Sequence, residues 1–234
     1  MKSYRELLGK HLRELCFVVG PGPSIQKAQK WLMEPIPHVF RIAINAAITK
    51  VPCEYWFFID LATYRLFKDH PNAKKAITLG VENWKEHYGD EVYTWEPARK
   101  LPEDVQNLKL LHRGTSLVGA INLGALLGSP RIVTVGIDHS FSEEYLRAKQ
   151  DEANMLREPG AEFVTLEKIK DFYQCTKIRI NKALAEMPFW LPPWVSVRDA
   201  SGGELPLVGS SVRGELEMVD KFHKKLAAKK EAVA

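Results

Sequence analysis

Six short stretches of this chain hold the residue types that can do chemistry. Gly20-Pro21-Gly22-Pro23-Ser24 closes an apolar run and opens a helical pattern, Asn45 follows a second apolar run, and Asp60 ends the aromatic run EYWFFID. Arg113-Gly114-Thr115-Ser116 precedes another helical pattern, Gly136-Ile137-Asp138-His139 ends RIVTV, and Asp199-Ala200-Ser201-Gly202-Gly203 follows WVSV. A helix N-terminus offers unpaired N–H groups and the positive end of the helix dipole, which suits phosphate. The GPGPS loop fits neither common phosphate motif. A dinucleotide fingerprint needs a third glycine where Ile25 stands, and a P-loop needs a Gly-Lys-Ser/Thr run. Pro21 and Pro23 also remove two donors. The N–H groups of Gly22, Ser24 and Ile25 remain, with the Ser24 hydroxyl, so the loop is either a ligand wall or a stiff corner.

Other stretches divide in the same way. Arg113, Thr115 and Ser116 make a second anion site, or a capped helix with a surface arginine. His139, beside Asp138, is a general base or acid, or a structural hydrogen-bonding residue. Asp60 binds a hydroxyl or a metal, or caps the helix LATYRLF. Gly20, Gly136, Ser201 and Gly202 belong to the same set of strand-end residues.

The elements that must position these residues alternate. The pattern predicts an amphipathic helix over 4–15, a buried strand LCFVVG, and a helix SIQKAQKWLM capped by Ser24. Strands VFRIAINAAI and EYWFFID follow, then weaker strands KAITLG and EVYTW. TSLVGAINLGALLG reads as a helix stopped at Gly128, and RIVTVGID as a buried strand. Residues 142–157 are charged without strand pattern; a long helix capped by Thr165 and a last strand WVSVRDAS complete the chain. Such alternation predicts an α/β, Rossmann-like fold, a mostly parallel sheet with helices on both faces. Ligands in such sheets bind beyond the carboxyl ends of the strands, where all six stretches would fall. The expected organisation is an N-terminal helix over 1–15, one nucleotide-binding domain over 16–210, and a C-terminal basic helix over 211–234 whose tail, KFHKKLAAKKEAVA, is expected to be solvated and partly frayed. MPFWLPPW, at 187–194, either packs under a sheet edge or forms a contact surface.

Composition bounds the class. The 234 residues are 45% apolar and 26% charged, as in soluble globular proteins. No apolar window is long enough for a membrane span. The charged start MKSYRELLGKHLRE does not resemble an export signal, so the cytoplasm is the expected location. Cys16, Cys53 and Cys175 are widely spaced, which argues against a disulfide framework or a zinc site; no metal ligand set is expected, and Cys16 and Cys53 read as core thiols. The net charge of +4, concentrated partly in the tail KFHKKLAAKKEAVA, suits a protein that handles anionic small molecules. Nucleic acid is not an expected partner, and a homo-oligomer stays open.

In order, VVGPGPSI, RIAINAAI, RGTSLVGAINLGALLGSPRIVTVGIDHSF and VSVRDASGGELP resemble a superfamily with two groups. One is the bacterial lipooligosaccharide sialyltransferases, which use CMP-sialic acid. The other is the archaeal 6-hydroxymethylpterin diphosphokinase domain, also found in flagellin-glycosylation factors. The resemblance spans most of 16–208. It implies that Gly20, Gly22, Pro23 and Ser24 form the first nucleotide-contacting loop, that Asn45 contacts the donor, that Thr115 and Ser116 stand beside the nucleotide, and that Gly136 and Asp138 line the base site. The chain departs from the sialyltransferases at Pro21, where they carry an asparagine, in lacking the tyrosines that follow the Asp, and in having no histidine over 142–168.

Three functions follow as expectations. The first is a glycosyltransferase with a nucleotide-sugar donor and a glycan or small-molecule acceptor, with His139 as base. The second is a diphosphokinase that needs Mg²⁺ held near Asp60 and Asp138. The third is a nucleotide-binding module without catalysis.

Overall fold

The computed structural model describes residues 2–98, 103–138, 143–155, 157, 160–202 and 205–231. Its strands are β1 (Lys2–Ser3), β2 (Leu15–Val19), β3 (Val39–Ile44), β4 (Tyr55–Phe57), β5 (Ile77–Val81), β6 (Tyr93–Trp95), β7 (Arg131–Val135), β8 (Ser196–Asp199) and β9 (Val208–Gly209). They form one all-parallel sheet in the order β1-β6-β5-β4-β3-β2-β7-β8-β9. The helices are α1 (Ile25–Leu32), α2 (Leu61–Phe67), α3 (Pro71–Lys75), α4 (Glu103–Gln106), α5 (Ser116–Leu126), α6 (Glu143–Met155), α7 (Leu166–Ala185), α8 (Met187–Trp190) and α9 (Val212–Glu231).

Both faces of the sheet are covered, and the strand residues alternate between two cores. Cys16, Val18, Phe40, Ile42, Tyr55, Phe57 and Ile132 pack on one face with the apolar side of α5 and the end of α7. Leu15, Phe17, Val19, Ala43, Trp56, Val133 and Val135 pack on the other with Ile25, Ala28 and Leu32 of α1 and Val212 of α9. The period of two explains why these strands read as unbroken apolar runs: each side meets a helix layer. Burial pushes the Cys16 and Cys53 thiols well above their ordinary range, in keeping with core thiols.

Strand order reverses at β2, whose neighbours are β3 on one side and β7 on the other. The loops after β2 and β7 therefore stand side by side at the carboxyl rim, the place where α/β sheets open a crevice.

Several expectations are corrected. The N-terminal segment is a two-residue strand and one 3-10 turn over Tyr4–Leu7, not a helix to residue 15. Gly9 and Arg13 both adopt positive φ, near +69° and +68°, which ends any helical run there. Tyr4 and Leu7 are core residues, so this segment is part of the sheet domain. The charged segment after β7, read without strand pattern, holds the helix α6, and a short ninth strand not read from the sequence, β9, extends the sheet past β8. The C-terminal helix is docked at its start, and its tail from Lys221 is mostly exposed. Glu215, buried on α9, takes a bidentate bond from Arg131 at the start of β7, at 2.5 and 2.8 Å. MPFWLPPW divides: Trp190 is buried and its indole donates to the Ala183 carbonyl, while Phe189 and Trp194 are exposed. Among the described residues, no helix is long and apolar enough to cross a membrane.

Candidate functional site

A cavity of about 450 Å³ opens at the carboxyl rim, beside the point where strand order reverses. Its polar end is built by Gly22 and Pro23 after β2, Asn45 after β3, Asp60 after β4, Thr115 and Ser116 at the start of α5, and Gly136 and Asp138 after β7. These are residues that the sequence places at strand and helix ends. Pro21 and Gly114 also line it.

The loop after β2 is held by the loop after β7. The Gly20 N–H donates to the Val135 carbonyl at 2.7 Å and the Gly22 N–H to the Gly136 carbonyl at 2.8 Å. A Cβ on either glycine would stand 2.6 Å from the Gly136 oxygen, and one on Gly22 would also strike the Asp138 carboxylate. Gly136 itself sits at φ +70°, a conformation that favours glycine. The glycines of GPGPS are therefore explained by backbone packing against Gly136. The Ser24 N–H donates to Asp138 Oδ2 at 3.0 Å, and the Ile25 N–H to the Gly22 carbonyl at 3.2 Å. All three N–H groups expected to cradle a phosphate have protein acceptors. Ser24 makes no side-chain cap, and its buried hydroxyl has no partner among the described residues. A carboxylate stands at the α1 N-terminus, satisfying the dipole that a phosphate would otherwise meet.

The start of α5 differs. Thr115 caps the helix: its hydroxyl accepts the Val118 N–H at 3.3 Å and donates to the His112 carbonyl. The His112 ring accepts the Gly114 N–H through Nδ1 at 3.0 Å, and burial holds this imidazole below its ordinary pKa, hence neutral. Of the first-turn donors, the N–H groups of Ser116 and Leu117 have no acceptor in the helix, and both residues line the cavity. The start of α5 thus brings the positive end of its dipole to the cavity wall.

Asn45 is the conformational outlier of the site. It is a non-glycine residue at φ +51°. Its side-chain oxygen accepts the Ser116 hydroxyl at 3.0 Å, and its carbonyl accepts the Trp56 indole N–H at 3.0 Å. Two anchors thus hold a strained backbone at the cavity wall, and no bond to the amide nitrogen is present among the described residues. Asp60 caps α2 through the Thr63 N–H at 2.7 Å, and it lines the cavity as well.

Arg113, Gly20, Ser24, Ser201 and Gly202 do not line the cavity. Arg113 pairs with Glu186 at 2.9 Å; the guanidinium standing beside Gly114 is that of Arg179 on α7. Ser201 supports from behind: its hydroxyl accepts the Ile137 N–H at 2.9 Å, while Asp199 holds both the Ser201 N–H and the Thr134 hydroxyl. Gly202 is exposed at φ +70° with nothing near it. His139 lies outside the described residues.

The cavity also has walls that the strand-end residues do not supply. Leu66 and Phe67 come from α2, and Ile169, Phe172, Tyr173, Thr176 and Ile180 from α7. Those five α7 positions recur at helical spacing, so the stripe is visible in the sequence, where spacing alone does not tell a core face from a cavity wall. Among the described residues, no group of three or more His, Cys, Asp or Glu is placed to hold a metal. Asp60 and Asp138 each keep one carboxylate oxygen outside the N–H bonds above, which suits a Mg²⁺ ion shared with substrate phosphates and otherwise bound to water.

No protein-family model matches the chain, and no curated protein matches it significantly.

Proposed function

We propose that the chain is a nucleotide-dependent transferase, a glycosyltransferase that seats a nucleotide-sugar donor in this cavity and serves surface glycan synthesis. The observation that carries this is the start of α5. Ser116 and Leu117, whose N–H groups have no acceptor among the described residues, line a ligand-sized cavity beside the anchored Asn45. A donor phosphate meets these N–H groups and the helix dipole, which stabilise the charge that develops as the bond to the sugar breaks. The acceptor hydroxyl attacks the sugar carbon, the phosphate oxygen leaves, and His139, next in sequence to the cavity-lining Asp138, takes the hydroxyl proton. Asp138 also fixes the loop after β2 through Ser24. The resemblance to the sialyltransferases supports a CMP-sugar-like donor.

One observation favours a second function, diphosphoryl transfer from ATP to a pterin-like alcohol. Asp60 and Asp138 line the same cavity, and they would hold Mg²⁺, which supplies charge neutralisation for the phosphates. A catalytically silent nucleotide-binding module remains the third. Thermal shift separates the first two by their metal dependence. Stabilisation by CMP or CDP without metal supports glycosyl transfer; stabilisation by ATP that requires Mg²⁺ supports diphosphoryl transfer. No shift with any nucleotide contradicts all three.

A further inference from the structure

We infer that the base of the bound nucleotide is recognised by its face, stacked on Phe172, and little by its edge; this rests on the nucleotide assignment above. Phe172 lines the cavity and yet is 58% exposed, so its ring offers apolar surface that a second ring would cover. The neighbouring Tyr173 ring is perpendicular to it, centroids 5.5 Å apart at 89°. Phe67 and Leu66 line the same cavity, the latter 41% exposed. The cavity is larger than one phosphate at α5 would fill and lies within the range of a nucleotide-sized ligand. A helix N-terminus and an exposed aromatic ring lining one cavity together fit a flat heterocycle joined to an anion through a short sugar.

Edge recognition needs fixed donors and acceptors beside the ring. Of the residues that α7 turns to the cavity, Ile169, Phe172 and Ile180 are wholly apolar and Tyr173 and Thr176 carry hydroxyls; Lys149 of α6 lines the cavity as well. Thr176 donates its hydroxyl proton to the Phe172 carbonyl at 2.9 Å, within its own helix. Every base has a π-face, so stacking alone tolerates a change of base.

Isothermal titration of the full chain with ribose 5-phosphate, CMP and AMP tests this. CMP and AMP are expected to bind within about threefold of each other, and ribose 5-phosphate at least about tenfold more weakly. Phe172→Ala should lose about tenfold for both nucleotides and nothing for ribose 5-phosphate, and Phe172→Trp should keep the nucleotide affinity. Equal loss for all three ligands, no loss for the nucleotides, or a base preference beyond about 30-fold would overturn the inference. Ribose 5-phosphate binding as tightly as CMP would overturn it while leaving the phosphate end intact. If none of the three binds wild-type protein at millimolar concentration, the nucleotide assignment itself fails, and the stacking site with it.

Discussion

The Asp138 carboxylate accepts the Ser24 N–H at 3.0 Å and so occupies the N-terminus of α1, across 114 positions of sequence. This contact ties the two loops flanking the strand-order reversal, and it turns a candidate phosphate cradle into a structural clasp. Asp138→Ala should destabilise the chain by about 1 kcal/mol, as loss of a helix cap does, whereas Asp138→Asn keeps an acceptor and should stay within about 0.5 kcal/mol. Urea unfolding reads both. Equal losses would mean that the charge, and not the Ser24 bond, sets the contribution.

Asn45 separates strain from binding. Asn45→Val forces a β-branched residue to φ +51° and should cost about 2 kcal/mol. Asn45→Gly relieves the strain while losing the Ser116 bond, and should cost less than about 1 kcal/mol. Both variants should lose about fivefold or more in nucleotide affinity, because both lack the amide. A glycine variant that melts and binds like wild type would remove Asn45 from the site.

Glu215 makes the docking of α9 depend on pH. Burial works against its ionisation, but the hydrogen bonds from Arg131 and Ser210 outweigh burial and leave its pKa below the ordinary carboxylate value. The folded chain therefore binds fewer protons there than the unfolded chain. The stability from Glu215 is full above the unfolded value, about 4.3, and is lost as pH falls through the lower folded value. Glu215→Gln should be about 2 kcal/mol less stable than wild type at pH 7, with the gap closing below about pH 4. A gap that stays constant from pH 7 to pH 3 would show that the carboxylate charge is not the source.

Much of the fold is legible because strands buried on both faces leave compact apolar runs. LCFVV and RIVTV are such runs, and they pair directly as β2 and β7. The rim residues are legible for the same reason: they stand where those runs end. What the chain hides is where donors are spent. Nothing local in GPGPS reveals that Gly136 and Asp138 will take the Gly22 and Ser24 N–H groups, since those contacts form between distant loops. Arg113 looks like an anion ligand until tertiary packing brings Glu186 to it. The α7 stripe is periodic, but periodicity alone does not say whether a helix faces a core or a cavity. β9 is too short, at two residues, to carry any pattern.

The most direct measurement is a crystal structure of the chain with bound CMP or ATP. The account predicts a phosphate oxygen within hydrogen-bonding distance of the Ser116 and Leu117 N–H groups, with the base against Phe172. A nucleotide whose phosphate instead displaces Asp138 from Ser24, or one that binds away from the carboxyl rim, would contradict it.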